Sequence, residues 1–241
     1  MNQYDNEHAH SYYGASAKGM TPYPTLDADL EADVCVVGGG FTGVNTAIEL
    51  AQRGLSVILL EGRRIGWGAS GRNGGQLIRG IGHDVSGFTK HVGAEGVRYL
   101  ERAGIESVQV VGNRIREHGI DCDLRWGFCE LANTAAQFAG LKAERAQLVE
   151  SGYAHETRLF ESGQIREHVV NSGVYAGGLV DMGSGHLHPL NLVLGEANVA
   201  QSLGVQIFEQ SPVLELIHGS TVQVRCASGT VRAGSLVLAC N

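Results

Sequence analysis

A short apolar run, Ala32-Asp33-Val34-Cys35-Val36-Val37, passes directly into Gly38-Gly39-Gly40-Phe41-Thr42-Gly43, and Val57-Ile58-Leu59-Leu60-Glu61 follows one helix later. This order predicts a buried strand, a glycine turn, a helix start, a second buried strand and a terminal acid. Val34, Val36 and Val37 are β-branched, as a strand covered on both faces requires. Ala47, Ile48, Leu50 and Ala51 give the intervening helix an apolar face, and Gly54 is placed to end it. Gly38, Gly40 and Gly43 fit G-x-G-x-x-G. In that pattern the first glycine allows a tight turn, the second lets backbone approach a diphosphate, and the third lets helix pack closely on strand. Amides at the helix N-terminus then face the phosphate charge. Glu61, about 20 residues further on, is placed to accept hydrogen bonds from ribose hydroxyls. A free carboxylate there opposes a 2′-phosphate, so the unit predicts FAD or NAD rather than NADP. Glycine supplies 35 of the 241 residues. The flanking strands and helix, not the glycines alone, therefore carry the reading.

With 43% hydrophobic and 18% charged residues, the chain can bury the core of one large or two small domains. A formal charge of -7 and the lack of any basic run exclude a nucleic-acid partner. No apolar stretch approaches the ~18 residues of a membrane span. The first 30 residues are polar and rich in Tyr, His and Ala, with no basic-then-apolar leader. Cys35, Cys122, Cys129, Cys226 and Cys240 form no C-x-x-C pair and read as reduced thiols of a cytoplasmic protein.

Residues 1–30, with Pro22 and Pro24, read as an extended arm able to pack over a surface, and 33–61 as the β-α-β unit. Residues 62–88 form a long glycine-rich connection, of the kind that usually serves a ligand. Residues 93–118 have helical spacing closed by Gly119. Leu124–Thr134 reads as a strand, Ala135–Gly152 as a helix, Gly173–Met182 as a strand and Pro189–Leu203 as a helix opened by proline. Val205–Phe208, Val213–Ile217, Thr221–Cys226, Thr230–Ala233 and Ser235–Ala239 read as short strands. The chain stops on Leu236–Asn241, at the end of a predicted core strand, and is expected to be truncated at its C-terminus.

The fingerprint, Glu61, and above all Gly66-Trp67-Gly68-Ala69-Ser70-Gly71-Arg72-Asn73-Gly74-Gly75-Gln76 resemble the D-amino-acid-oxidase-like FAD-dependent oxidoreductases. That family includes glycine oxidase, sarcosine oxidase and D-amino-acid dehydrogenase. Ser11-Tyr12-Tyr13-Gly14-Ala15-Ser16 and Gly185-His186-Leu187-His188-Pro189-Leu190 add a resemblance to its γ-glutamylputrescine oxidoreductase subgroup. The resemblance runs from about Ser11 to Asn241. It implies an α/β fold with α+β elements in the second region. A Rossmann-like FAD-binding domain of the glutathione-reductase type would be interleaved with a mixed-sheet substrate domain, incomplete at the C-terminus. The implied division is an arm over 1–30, the FAD-binding β-α-β unit and glycine-rich loop over 31–90, mostly substrate-domain and helical segments over 91–185, and a return to the FAD-binding domain over 186–241. Relatives continue with further substrate-domain strands and a glycine-rich segment that returns to the flavin.

The implied FAD contacts are Gly38, Gly40, Phe41, Thr42 and Gly43 at the diphosphate, Glu61 at the ribose, and Gly62 and Arg63 beside it. Arg63 and Arg64 either flank adenine or phosphate or form a solvated charge pair. By resemblance Gly68, Ala69 and Ser70 lie by the phosphate, and Asn73, Gly74, Gly75 and Gln76 line the isoalloxazine, where small residues let backbone approach a flat ring. Val213 matches the position that clasps adenine through its backbone, and Ala239 a small residue against the cofactor. Gly68 stands where some relatives carry a flavin-linking histidine, so that covalent link is excluded.

The implied reaction is oxidation of an amine C–N bond: hydride to flavin N5, imine hydrolysis, and reoxidation by O2. The substrate is γ-glutamylputrescine or a related small-molecule amine or amino acid, and the flavin supplies the electron sink. Alternatives are an amino-acid dehydrogenase passing electrons to another electron acceptor, a non-catalytic fragment, and an NAD-binding domain, which the long glycine-rich stretch after Glu61 disfavours. His186 and His188 form H-x-H but lack a further ligand at metal spacing, so a helix-start role is expected and no metal. Arg79, His83 and Asp84 either face substrate or form a surface turn. Trp126 and Phe128 either wall the substrate space or belong to the core. No catalytic residue is assigned.

Overall fold

The computed structural model describes residues 7–19, 21–82 and 85–240. The chain divides into two compact units: residues 1–74, 115–122 and 188–241, and residues 75–114 and 123–187.

In the first unit, β1 (Leu30–Val37), α2 (Phe41–Gln52) and β2 (Val57–Leu60) form the β-α-β unit, preceded by a short helix α1 (Tyr12–Ser16). The sheet is completed by β7 (Gln206–Phe208), β8 (Glu215–Ile217), β9 (Val222–Arg225) and β10 (Thr230–Leu238), in the order β7-β2-β1-β10-β9-β8. β7, β2, β1 and β10 run parallel, and β9 and β8 continue antiparallel. All four residues of β2 are buried, as are Val34, Cys35 and Val36 of β1. Apolar strands without alternation are what central parallel positions need. Leu26, Cys35, Ile58, Leu60, Val224, Val231 and Ala233 form one core. On the sheet, α2 packs against α6 (Pro189–Ser202).

The two strands expected at Thr230–Ala233 and Ser235–Ala239 are one, β10 (Thr230–Leu238). Gly234 keeps an extended backbone, and β1 pairs with β10 in a single register from Leu30↔Val231 to Val37↔Leu238. The reverse holds at Val213: the ladder starts only at Glu215, because the Ser211 N–H is spent on the Glu61 carbonyl and Pro212 has no donor.

The arm is not simply extended. Ser11 caps α1 by accepting the Gly14 N–H, and the chain beyond is fastened at successive points. Lys18 N–H donates to Asn191 Oδ1 (2.8 Å), Tyr23 N–H to Glu209 Oε2 (3.1 Å) and Leu26 N–H to Ser211 Oγ (2.9 Å). Glu209 is the hub of this attachment. It is 2% exposed, pairs with Arg64 Nε at 2.8 Å and also accepts the Ile65 N–H (2.7 Å). Burial, reinforced by the Glu209 carboxylate, pushes the Tyr23 phenol up to about 12.

In the second unit, β6 (Gly177–His186) is the central strand. β4 (Arg125–Ala132) flanks it on one side, and β3 (Gln76–Leu77) and β5 (Thr157–Glu161) pair with its two ends. The β4 register shifts between Trp126 and Phe128, where Gly127 takes a φ of 112°. The helix α3 (Thr89–His118) is broken at a non-helical Gly93 (φ 68°), so the run expected over 93–118 follows a short helical segment at 89–92. A Thr134–Gln137 capping box opens α4 (Ala135–Glu150). Phe138 and Leu141 of α4 pack on Ala132 and Leu179. β5 and the helix α5 (Ser162–His168) complete the unit.

Removing one partner of a buried ion pair leaves the other charge uncompensated. Glu209→Gln is therefore expected to destabilise the chain by about 3 kcal/mol. Chemical denaturation would show a lower midpoint at unchanged slope. An unchanged midpoint would show that the Arg64–Glu209 pair does not hold the arm.

Candidate functional site

The chain leaves β1 at Gly38 with a φ of +115°, a conformation L side chains rarely adopt. A Cβ there would lie 2.6 Å from the Ala239 carbonyl oxygen, just beyond β10. At Gly43, in the first turn of α2, a Cβ would overlap the Gly38 carbonyl oxygen, and its next neighbour is the Ala239 side chain. At Gly39 a Cβ would run into Ile65 and Glu61, and at Gly40 into Ser70 Oγ at 2.8 Å. The turn is thus a cradle of bare backbone, and Ala239 packs directly on it. Gly40 caps α2 without a side-chain bond, so the first-turn amides point out of the helix ladder.

Two side chains meet these amides. Ser70 Oγ accepts the Phe41 N–H (2.9 Å), and Glu61 Oε2 accepts the Gly39 N–H (2.6 Å). Glu61 Oε1 accepts the Arg63 N–H (2.8 Å). The carboxylate is therefore held beside the turn with one protein donor on each oxygen. Its remaining lone pairs are suited to accept further hydroxyl donors. Thr42 follows Phe41 in the exposed first turn, and its carbonyl accepts the Thr46 hydroxyl.

The connection after β2 folds back on the turn. Gly66 N–H donates to the Gly39 carbonyl (2.8 Å), and Ala69–Gly71 form a short 3-10 helix. Asn73 Nδ2 bridges the Ala69 and Ser70 carbonyls (3.2 and 3.0 Å). Gly62, Gly68, Ala69, Asn73 and Gly74 are exposed, and a Cβ at Gly62 would lie 3.7 Å from Pro212. These residues of the first unit fit a dinucleotide: the donors are backbone amides, and the glycines keep the surface at backbone height. Neither the N–H nor the C=O of Val213 has a hydrogen-bond partner among the described residues, which leaves both able to meet a purine edge.

Gly75 and Gln76 belong to the second unit. Gly75 is buried with a φ of +69°, and its carbonyl accepts the Leu187 N–H (2.8 Å). Gln76 opens β3 opposite His186 and is exposed.

Among the remaining candidates, His188 takes the expected helix-start role, and the arginines and aromatics take positions of their own. Arg64 is neither a solvated charge nor a free cation: it is 8% exposed and paired with Glu209. Arg63 and Arg72 lie against the Trp67 indole, 4.0 and 4.3 Å from its centroid, and the indole N–H donates to the Glu7 carbonyl. His188 caps α6, with Nδ1 accepting the Asn191 N–H (3.1 Å) and Nε2 in hydrogen-bond contact with Ser16 Oγ (3.1 Å). Trp126 is 42% exposed and lies over Gly112. Phe128 lines a cavity of about 120 Å³ within the second unit, with Ile78, Arg79, Glu130, Glu144, Leu179 and Asp181. Arg79 is tied to Asp181 and Glu144, and His83 and Asp84 lie outside the described residues.

Glu209, Asp181 and Tyr153 are structural residues that no motif announces. For the two acids the one signal in sequence is a carboxylate set inside an apolar or glycine-rich stretch, as in Ile207-Phe208-Glu209 and Leu179-Val180-Asp181. All five cysteines are free. No helix among the described residues is long and apolar enough to cross a membrane.

Comparison with known proteins agrees with this geometry. The family model "FAD dependent oxidoreductase" matches residues 33–241. The probable oxidoreductase OrdL of Haemophilus influenzae is 39% identical over 237 residues, covering 98% of this chain and 54% of that protein. The gamma-glutamylputrescine oxidoreductase of Escherichia coli is 39% identical over 235 residues, covering 98% and 55%. The chain thus spans about half the length of these relatives. Among solved structures, L-amino acid deaminase from Proteus myxofaciens superposes with a TM-score of 0.74 at 22% identity, covering 92% of this chain and 48% of that one. Glycine oxidase from Geobacillus kaustophilus gives 0.69 at 24% identity, covering 87% and 55%. These two show the fold, and it is the mixed α/β fold expected from the sequence. With a family match over residues 33–241 and a bare-backbone turn that holds the Glu61 carboxylate beside it, the chain belongs to the FAD dependent oxidoreductase family.

Proposed function

We propose that this chain holds FAD for the oxidation of an amine C–N bond, in γ-glutamylputrescine or a related small-molecule amine or amino acid. The observation that carries the cofactor part is the bare-backbone turn at Gly38–Gly43 with Glu61 fixed beside it. The amine part rests on the likeness to gamma-glutamylputrescine oxidoreductase over 98% of the chain.

The roles divide along the chain. Gly38, Gly40 and Gly43 let a diphosphate approach, and the Thr42 amide is offered to its charge while that of Phe41 is bonded to Ser70 Oγ. Glu61 accepts from the ribose, with Gly62 and Arg63 alongside. Val213 presents its backbone N–H and C=O to adenine, and Ala239 keeps the far side of the turn small. Gly68, Ala69 and Ser70 serve the phosphate side of the connection. Asn73 and Gly74, then Gly75 and Gln76, are the segment assigned to the ring. The first unit is accordingly assigned to the adenosine diphosphate half of the cofactor, and the second to substrate and, through Gly75 and Gln76, to the ring.

Bound FAD supplies a two-electron acceptor for the amine α-carbon, so the chain's own task is to orient the amine and exclude water. No proton-transfer residue is assigned. O2 or another electron acceptor completes turnover, and the free cysteines support a reducing, cytoplasmic setting.

Glu61→Gln removes the charged acceptor from the ribose side. FAD affinity, read by quenching of flavin fluorescence, is expected to fall about tenfold or more with the circular dichroism spectrum unchanged. Equal affinity would remove Glu61 from the site. A second measurement addresses the reaction: aerobic incubation of the FAD-loaded chain with γ-glutamylputrescine is expected to release hydrogen peroxide. Reduction of an artificial quinone without peroxide would indicate a dehydrogenase. Neither product in flavin-loaded protein would contradict amine oxidation.

A further inference from the structure

The segment assigned to the flavin ring enters the second unit through a very short strand. β3 has only Gln76 and Leu77, paired with His186 and Gly185 of β6. A two-residue ladder is weak support for a chain that is otherwise glycine-rich on both sides, with Gly74 and Gly75 before it and Gly80 and Gly82 after it. What fastens it lies one step further on, at Arg79.

The Arg79 N–H donates to Ser184 Oγ (3.2 Å), its Nε to Asp181 Oδ2 (3.0 Å) and its Nη2 to Glu144 Oε1 (2.6 Å). One guanidinium therefore spans a strand, β6, and a helix, α4. Asp181 is 3% exposed and accepts, besides Arg79, the Tyr153 hydroxyl (3.0 Å), the Gly183 N–H (2.9 Å) and the Ser184 hydroxyl (2.7 Å). A carboxylate with this many donors has a fixed orientation, and it passes that orientation to Arg79. Next along the chain, the Gly80 N–H donates to the Gly104 carbonyl of α3 (3.1 Å), and a Cβ at Gly104 would lie 2.6 Å from the Gly80 Cα.

We propose that Arg79 is the positioning residue for the Gly75–Leu77 segment: its fork, held by Asp181 and Glu144, fixes the short β3 strand against β6. The inference rests on the assignment of Gly75 and Gln76 to the flavin ring, and it gives Arg79 a role that is not substrate contact. Its Nε and Nη2 are already engaged by carboxylates. Lysine cannot reproduce it, because a single ammonium lacks the planar fork that reaches two carboxylates at once.

The test compares the parent chain with Arg79→Lys, Arg79→Ala and Asp181→Asn. Hydrogen exchange of the ligand-free chain is read at Gln76–Gly80, with β1 and α2 as the internal reference. The account predicts about tenfold faster exchange at Gln76–Gly80 in all three variants and unchanged exchange in β1 and α2. After FAD loading, the visible flavin spectrum should shift in the variants while ADP affinity, a property of the first unit, stays at the parent value. Unchanged exchange at Gln76–Gly80 in both Arg79→Lys and Asp181→Asn would overturn the proposal. Faster exchange with a flavin spectrum identical to the parent's would support Arg79 as the residue that fixes the segment and overturn the assignment of that segment to the flavin ring. Failure of the parent chain to bind FAD would remove the cofactor reading instead, and the exchange comparison would still decide whether Arg79 fixes the segment.

Discussion

At Gly43 the first turn of α2 comes so close to the Gly38 carbonyl that no side chain fits between them, and Gly38 in turn faces the Ala239 carbonyl. This contact of backbone with backbone sets the rest of the first unit. It brings α2 down onto β1 and β2, and it sets the start of the helix beside Ser70 and Glu61, which accept the Phe41 and Gly39 amides. The glycine-rich connection then attaches to the same turn through Gly66 and Ser70. A bulky residue at Gly43 would push the helix away and separate the amides from the carboxylate.

Each unit also has one buried carboxylate that organises a mobile-looking stretch of sequence. Glu209 gathers Arg64, Ile65 and Tyr23, and so joins the N-terminal arm to the residues that follow Glu61. Asp181 gathers Arg79, Tyr153, Gly183 and Ser184 around β6. Buried charge is tolerable only with such saturation, since each missing donor would leave an uncompensated desolvation cost. The two hubs therefore act where hydrophobic contact is thin: an arm without a core of its own, and a two-residue strand.

Much of the first unit was legible in the sequence because local and tertiary signals agree there. The valines of β1, the glycine triplet and the proline-opened α6 all read the same way at both levels. Agreement fails where a tertiary bond overrides a local one. The strands expected at Thr230–Ala233 and Ser235–Ala239 join through an extended Gly234, because β1 pairs on both sides of it in one register. Val213 suggested a strand start, yet Ser211 is bonded to Glu61 instead. The helix at Tyr12–Ser16 is too short to show a periodicity, and it lies beside His188, far away in sequence. β5 and α5 escaped notice because Thr157–His168 is polar on the exposed side and too brief to show an alternation. Of the candidate site, the backbone features were readable from glycine spacing. The engagement of Arg64 and Arg79 was not, because charge pairing depends on residues more than 60 positions away.

The central claim is that the Gly38–Gly43 turn and Glu61 receive the adenosine diphosphate half of FAD. Amide chemical shifts of the chain, recorded during separate additions of FAD, ADP and FMN, test it most directly. The account predicts that FAD and ADP both shift the amides of Gly39–Val44 and Arg63, and that FMN leaves them unmoved at equal concentration. Shifts at these amides with FMN but not ADP, or none with FAD, would contradict it.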